Sequence, residues 1–473
     1  MSNHPLEEIL HPRSIAVVGA SDSSRGGGFV APLQELGYQG QIYPVNPKYK
    51  ELMGLKTYSR VRDIPGPVDY VISSVPASEV LGLIEDCSLK GVKGVHLFTA
   101  RFSETGRKDA AELEQEILRQ ARKGGMRLIG PNCMGVYYPD EGIAFHTGMP
   151  KDSGGVGLAS QSGQAVGEIV GFAALRGVRF SKAISYGNAL DFNECDYLDY
   201  FAQDPQTEVI LMYIEGVRDG RRFLSSLRRA AATKPVLIVK GGRGEAGTRA
   251  TASHTASMAG SRQIWRALVD QTGVVTAADL EELVDIAVAF YFLPRITGRR
   301  VGVVGGSGGS SVLAADKCEE AGLDVIPLPE DIREGLKSQG NPIWDWIGNP
   351  ADFSISVSRD RADAIMITQM MAKHPDFDFL IVFVRSPRRR GNEPISLDKH
   401  MEQYKLREMT DKPVVSVIGD RPRGRGSEAD VHVKIMAEMQ ARFVANNLST
   451  YPNIGRASLA VSKMIGYYEK KLS

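Results

Sequence analysis

The sequence predicts an α/β protein built as three successive domains, and three observations predict it. Short runs rich in β-branched residues recur along the chain. Most of them run into a Gly-rich turn and then a helix-period pattern, which reads as βαβ units on parallel sheets. The series restarts twice, and 473 residues suffice for roughly three domains of about 150 residues each.

The first series comprises "SIAVVGA" (14–20), "VDYVISSV" (68–75), "GVHLFTA" (94–100) and "MRLIGP" (126–131). The second opens at "GGVGLASQSG" (154–163) and continues through "EVILMYIEG" (208–216) and "PVLIVKGG" (235–242). The third opens at "RRVGVVGGSGG" (299–309) and continues through "FDFLIVFV" (377–384) and "PVVSVIG" (413–419). Joints are expected at "GMPKDSGG" (148–155) and "LPRITGRR" (293–300), where Pro, Gly and charge interrupt the periodicity. The domains are therefore expected at 1–150, 151–296 and 297–473. The recurrence lies in architecture, with no residue-level repeat of the solenoid kind.

Composition narrows the class of function. The 57 Lys and Arg nearly balance 56 Asp and Glu, so no overall field recruits nucleic acid or an anionic membrane. No apolar run reaches transmembrane length, and "MSNHPLEEIL" lacks the basic and apolar regions of a signal peptide. Cys87, Cys133, Cys195 and Cys318 are scattered, with no zinc or disulfide spacing, so the expected setting is a reducing cytoplasm and no metal site is expected.

The first Gly-rich turn, "IAVVGASDSSRGGGF" (15–29), offers backbone N–H groups to an anion but is not a clean GxGxxG. The following strand sharpens the reading. An NAD site usually carries an acid there to hold the ribose hydroxyls, whereas "QIYPVNPKYK" (41–50) supplies Asn46 and Lys48. A cation favours a phosphorylated ribose, as in NADP or coenzyme A; the plainer alternative is a surface lysine beside a Pro turn.

In "GLASQSGQAVGEIVGFAALRG" (157–177), Ser160, Gln161, Ser162 and Gly163 stand at an expected helix N-terminus, where free amides and hydroxyls bind phosphate. Ordinary serine N-capping explains the same residues. Glu215 follows an apolar strand, where α/β folds place functional groups, and its carboxylate suits orienting an imidazole; a loop salt bridge is the alternative. That imidazole is His254, set in "ATASHTASMAG" (250–260) among small side chains that leave its ring approachable. With no second histidine nearby, a phosphoryl carrier fits better than a metal ligand, against a capping or packing histidine.

These residues resemble the α subunit of NDP-forming acyl-CoA synthetases (acetate–CoA ligase, ADP-forming), relatives of succinyl-CoA synthetase. The likeness runs through "HPRSIAVVGAS", "GQIYPVNPK", "FSETG", "LIGPNCMGV", "GLASQSG", "YIEGVRDGRRF", "VKGGRGEAGTRATASHTASMAG", "AADKCEEAGL" and "YPNIGRASLAVSKMIGYYEKK", and so through essentially the whole chain. It implies a Rossmann-like CoA-binding domain followed by two flavodoxin-like ligase domains. It implies that phosphate attacks an acyl-CoA, that His254 takes the phosphoryl group from the acyl phosphate, and that the loop carries it to ADP. Glu215 would orient the imidazole and Ser160 to Gly163 would hold the phosphoryl group. Gly19, Ser21, Asp22, Ser23, Ser24, Lys48, Val75, Pro76, Thr99 and Asn132 would contact coenzyme A.

The chain departs from the family pattern at Ala256, where Gly is common, and at Arg101, where a small residue is usual. Arg101 either adds a cation to the CoA or acyl site or blocks it. Trp344 and Trp346 in "NPIWDWIGNPADF" (341–353) have no counterpart in the pattern; packing, a substrate surface or a subunit surface are the choices. The basic stretches 385–391 and 419–426 read as solvated loops, with an interface role second. No GxxxxGK[ST] is present, and the chain ends at "KKLS" where fused relatives continue into an ATP-grasp module. The expectation is a separate ATP-grasp β subunit supplying ADP or ATP and Mg²⁺, and hence a hetero-oligomer acting on a small organic acid. The alternatives are a CoA- or acyl-CoA-binding regulatory protein that has lost turnover and, third, an NADP-dependent oxidoreductase.

Overall fold

The computed structural model describes residues 4–21, 28–244, 246–247, 262–353, 362–385, 397–398, 410–419 and 427–472. The strands of the first sheet are β1 (Ser14–Val18), β2 (Gln41–Val45), β3 (Tyr70–Ser73), β4 (Gly94–Leu97) and β5 (Arg127–Ile129). They lie in the order β2-β1-β3-β4-β5, all parallel. β1 and β3 are buried along their whole length, as expected of strands covered on both faces. Val71, Val95, Leu128 and Ile117 form the centre of its core.

β6 (Gly135–Tyr137) is the antiparallel edge of a second sheet. Its parallel strands are β7 (Val156–Ser160), β8 (Phe180–Ser185), β9 (Val209–Ile214), β10 (Val236–Lys240) and β11 (Val275–Ala277), in the order β11-β10-β9-β7-β8-β6. The third sheet holds β12 (Val301–Gly306), β13 (Ala351–Asp352), β14 (Phe379–Val384), β15 (Val414–Ile418) and β16 (Ser449–Tyr451), in the order β13-β12-β14-β15-β16. Setting β6 aside, all three sheets are wound alike, with the first strand between the second and the third. Such winding opens a crevice at the carboxyl ends of the first and third strands.

The chain divides into two compact units, one of Met1–Ala174 with Val178–Leu283 and one of Leu175–Gly177 with Val284–Ser473. The first unit thus contains the first two sheets. The loop after β8 ties them together: buried Asp191 accepts from Arg127 Nε at 2.8 Å, Arg122 at 3.0 Å and the Leu128 N–H at 3.0 Å. In the second unit the core forms around Val304, Phe377, Met371, Met439 and Phe443. Trp344 packs against that core with the Lys337 ammonium 4.5 Å from its ring centre, whereas Trp346 is exposed. Among the described residues, no helix is long and apolar enough to cross a membrane.

Candidate functional site

β7 runs into a turn at Ser160 and Gln161, and the helix Gly163–Leu175 begins two residues later. Ser160 is buried, its Oγ donating to the Ser162 carbonyl at 2.8 Å and accepting the Ser162 N–H at 3.2 Å. Ser162 Oγ in turn accepts the Ala165 N–H at 3.3 Å. The serines therefore do cap the helix. The earlier first-turn amides, those of Gly163 and Gln164, have no partner within a helix by its geometry and remain directed at whatever lies beyond the N-terminus. A Cβ at Gly163 would stand 2.8 Å from Met134 Cγ, so the close approach of these two segments requires glycine there.

Glu215 follows the last residue of β9 and is buried. The Gln161 side chain holds its backbone: Oε1 accepts the N–H groups of Glu215 and Gly216, the latter at 3.0 Å, while Nε2 donates to the Gly216 carbonyl at 3.1 Å. Lys240, the last residue of β10, donates to the Glu215 carbonyl at 2.7 Å and to that of Gly241 at 2.5 Å. Burial chiefly pushes the Lys240 ammonium down; the Glu215 carboxylate opposes the shift and Arg243 adds to it. Burial, with the Glu215 carboxylate second, pushes the Tyr213 phenol up to about 12.

An open cleft of about 560 Å³ lies over this helix N-terminus. Its walls include Ser162, Gln164, Tyr213, Lys240, Arg243 and Asp279. Gly241, Gly242 and Gly244 also line it, so the chain leaves β10 along the cleft on its way to the segment that carries His254. Lys240, Tyr213 and Arg243 were missed in the sequence reading. The only trace of them there is a cation at the end of an apolar strand in "PVLIVKGGRG".

Those of the residues expected to contact coenzyme A that the structure describes fall along the carboxyl edge of the first sheet. Gly19 follows β1 with φ +83°, its N–H donating to Val45 O at 2.9 Å, and a Cβ there would meet Ser74 Oγ at 2.8 Å. Ser21 comes two residues later. Val75 and Pro76 follow β3, and Thr99 Oγ1 donates to Val75 O at 2.6 Å. Asn132 has φ +59°, and its N–H donates to Thr99 O at 2.9 Å. Lys48 is exposed, its backbone N–H bonded to Asn46 Oδ1 at 3.0 Å, while Asn46 Nδ2 reaches back to Ala20 O at 2.8 Å. The edge thus links Val75, Thr99 and Asn132 by hydrogen bonds, with Gly19 packed against Ser74 beside them. His254, Asp22, Ser23, Ser24 and Ala256 lie outside the described residues, as do 386–391 and 420–426. Among the described residues no group of three or more His, Cys, Asp or Glu is placed to hold a metal ion.

Two family models match the chain. Residues 13–139 match the CoA binding domain family, and residues 153–290 match the succinyl-CoA ligase like flavodoxin domain. The chain is 38% identical over 392 residues to the alpha subunit of ADP-forming acetate–CoA ligase II of Pyrococcus furiosus, covering 82% of this chain and 84% of that one. It is 36% identical over 353 residues to an ADP-forming acetate–CoA ligase of Methanocaldococcus jannaschii, covering 74% of this chain but 49% of that protein, so it spans about half the length of that relative. A solved structure of Ca. Korarchaeum cryptofilum dinucleotide forming acetyl-coenzyme A synthetase 1, in complex with phosphate and ADP, superposes with a TM-score of 0.79 at 33% identity, covering 99% of each chain. The chain belongs to the ADP-forming acetate–CoA ligase family and aligns with its alpha subunits.

Proposed function

We propose that this chain is the CoA- and phosphohistidine-bearing subunit of an acid–CoA ligase that interconverts acyl-CoA, ADP and phosphate with acid, CoA and ATP. Residues 1–150 bind coenzyme A, 151–296 carry the phosphoryl chemistry, and 297–473 form a second ligase domain. The observation that carries the reading is the cleft lined by Ser162 and Gln164 of the helix N-terminus, by Lys240, which holds the Glu215 carbonyl, and by Gly241 to Gly244, from which the chain runs on toward His254.

A phosphate oxygen attacks the thioester carbonyl carbon, the C–S bond breaks, and CoA leaves as its thiolate to be protonated. A ring nitrogen of His254 then attacks the phosphorus of the acyl phosphate, and the carboxylate departs as the P–O bond breaks. The β-phosphate of ADP finally attacks the phosphohistidine, breaking the P–N bond and forming ATP. Glu215 accepts the N–H of the other ring nitrogen, which fixes the tautomer and stabilises the cationic ring. The amide clamp of Gln161 holds Glu215 for that task, and Ser160 to Gly163 place the helix terminus against the phosphoryl charge. Gly19, Ser21, Asp22, Ser23, Ser24, Lys48, Val75, Pro76, Thr99 and Asn132 hold coenzyme A.

ADP or ATP and Mg²⁺ are assigned to a separate ATP-grasp β subunit, so the working enzyme is a hetero-oligomer. The four cysteines are buried free thiols, in keeping with a reducing cytoplasm. The test is the intact mass of the chain after incubation with acyl-CoA and phosphate, with and without the partner. One added acid-labile phosphoryl group, absent from His254→Ala, is expected. No added phosphate under any pairing, with CoA still bound, overturns the carrier role and leaves a CoA-binding regulator.

A further inference from the structure

Arg101 sits two residues beyond Thr99 with φ +81°, a left-handed conformation that suits glycine and is uncommon for a residue with a Cβ. The strain is held in place from outside. The Glu104 carboxylate accepts the Arg101 N–H and, at 3.0 Å, the Phe102 N–H, while the Glu114 carboxylate accepts the Ser103 N–H at 2.8 Å. Asn188, on the loop after β8, donates to Glu104 at 2.7 Å and to Glu114 at 3.3 Å. Arg218, just past Glu215 in sequence, secures Asn188 by donating to its carbonyl at 2.6 Å. An over-determined backbone of this kind persists where the side chain it presents has a use.

That side chain is a cation with no counter-charge paired to it among the described residues. Arg101 is exposed, and among the described residues its guanidinium makes no ion pair or hydrogen bond. Neighbouring Arg107, by contrast, pairs with Asp109. Its position is informative too. The segment Asn132–Met134 joins the two halves of the proposed site: the Asn132 N–H bonds Thr99 O at 2.9 Å, and the Met134 side chain lies against Gly163. Arg101 therefore emerges from the loop that follows Thr99, beside the segment that links the proposed CoA edge to the phosphoryl turn, and a thioester bound as proposed would carry its acyl group past this loop.

We propose that Arg101 is a specificity-determining residue that reads an oxyanion of the substrate, in the first instance a second carboxylate at the far end of the acid. This rests on the CoA reading of the edge given above. The planar guanidinium suits a carboxylate, and also a phosphate of coenzyme A itself; the test separates the two.

Binding of CoA, pentanoyl-CoA and glutaryl-CoA to the full chain is measured by calorimetry for the wild type, Arg101→Gly and Arg101→Lys. Glycine at φ +81° relieves strain, so Arg101→Gly folds at least as well as the parent. Glutaryl-CoA is expected to bind the wild type about tenfold or more tightly than pentanoyl-CoA, with the preference lost in Arg101→Gly and partly kept in Arg101→Lys. An equal weakening of all three ligands in Arg101→Gly, CoA included, assigns the oxyanion to a CoA phosphate. Unchanged binding of all three in Arg101→Gly overturns the proposal. A wild-type chain that binds none of them overturns the CoA reading itself, and the proposal with it.

Discussion

The second and third sheets present the same turn in opposite states. In each, the first strand runs into small residues and then a helix: "LASQSG" ahead of Gly163–Leu175, and "VGGSGG" ahead of Gly309–Glu320. In the third sheet the turn is satisfied from within. Asp352, at the end of the second strand, accepts the Gly308 N–H, and Arg385, directly after the third strand, donates to the carbonyls of Gly305 at 3.1 Å and Gly306 at 2.6 Å. In the second sheet the residue directly after the third strand is Glu215, and the end of the second strand is Ser185, whose Oγ accepts the Met134 N–H at 3.1 Å. A carboxylate stands where its counterpart has a guanidinium, a serine hydroxyl turned to another segment stands where its counterpart has a carboxylate, and an open cleft lies over the helix N-terminus. Strand order sets where a site can form; a few strand-end residues decide whether it does.

The largest expected effect lies at the open turn. Glu215→Gln keeps the shape of the side chain and removes its charge, and turnover of the assembled ligase should fall roughly 10²- to 10³-fold. Rapid-quench measurement of phosphohistidine formation should show the same loss. A variant as active as the parent breaks the contrast, because the carboxylate would then have no part in the chemistry.

Acid should separate the two units. His96 in β4 is buried, with Nε2 3.0 Å from Cys133 O, and burial pushes its imidazole down to about 4 from an ordinary value of 6.5. The native ring stays neutral while the unfolded one binds a proton below about 6.5. The contribution is thus fully present above that pH and is lost as pH falls toward about 4, by about 3 kcal/mol. Calorimetry from pH 7 to 4 should show the transition of the first unit falling by this amount beyond any shift of the second, and less so in His96→Gln. Equal acid dependence in His96→Gln and the parent would show that the histidine is not the cause.

The smallest effect belongs to the closed turn. Asp352→Asn should lower the stability of the second unit by about 0.5–2 kcal/mol through a weakened helix cap, with ligase turnover unchanged. A turnover loss comparable to that of Glu215→Gln would mean that the third turn also takes part in the reaction.

Most of the fold was legible because the central strands are unbroken apolar runs, as in "VILMYI" and "FLIVFV". β8 was not, because "FSKAIS" places Lys182 in its middle. That lysine is buried against Asp204 at 2.9 Å and Gln206 at 2.6 Å, with its ammonium 4.5 Å from the centre of the Tyr138 ring. None of those partners is adjacent in sequence. β11 and β16 have three residues each, too few for a period to show. Of the site, Ser160 to Gly163 and Glu215 could be found because they follow apolar strands. Lys240 could not: a lysine after an apolar run reads as solvated until the fold buries it beside Glu215.

By itself the sequence determined three repeats of strand, small-residue turn and helix, and with them the places where anion-binding helix ends could form. Local propensity and hydrophobic periodicity suffice for that, because both act over a few neighbouring residues. Only the tertiary structure decided which turn stays open. The groups that close the third turn come from 44 and about 80 residues away in the chain, and those that frame the second, Gln161 with Glu215, from 54 residues apart. Charge delivered across a sheet depends on strand order, and strand order is set only when the whole core assembles.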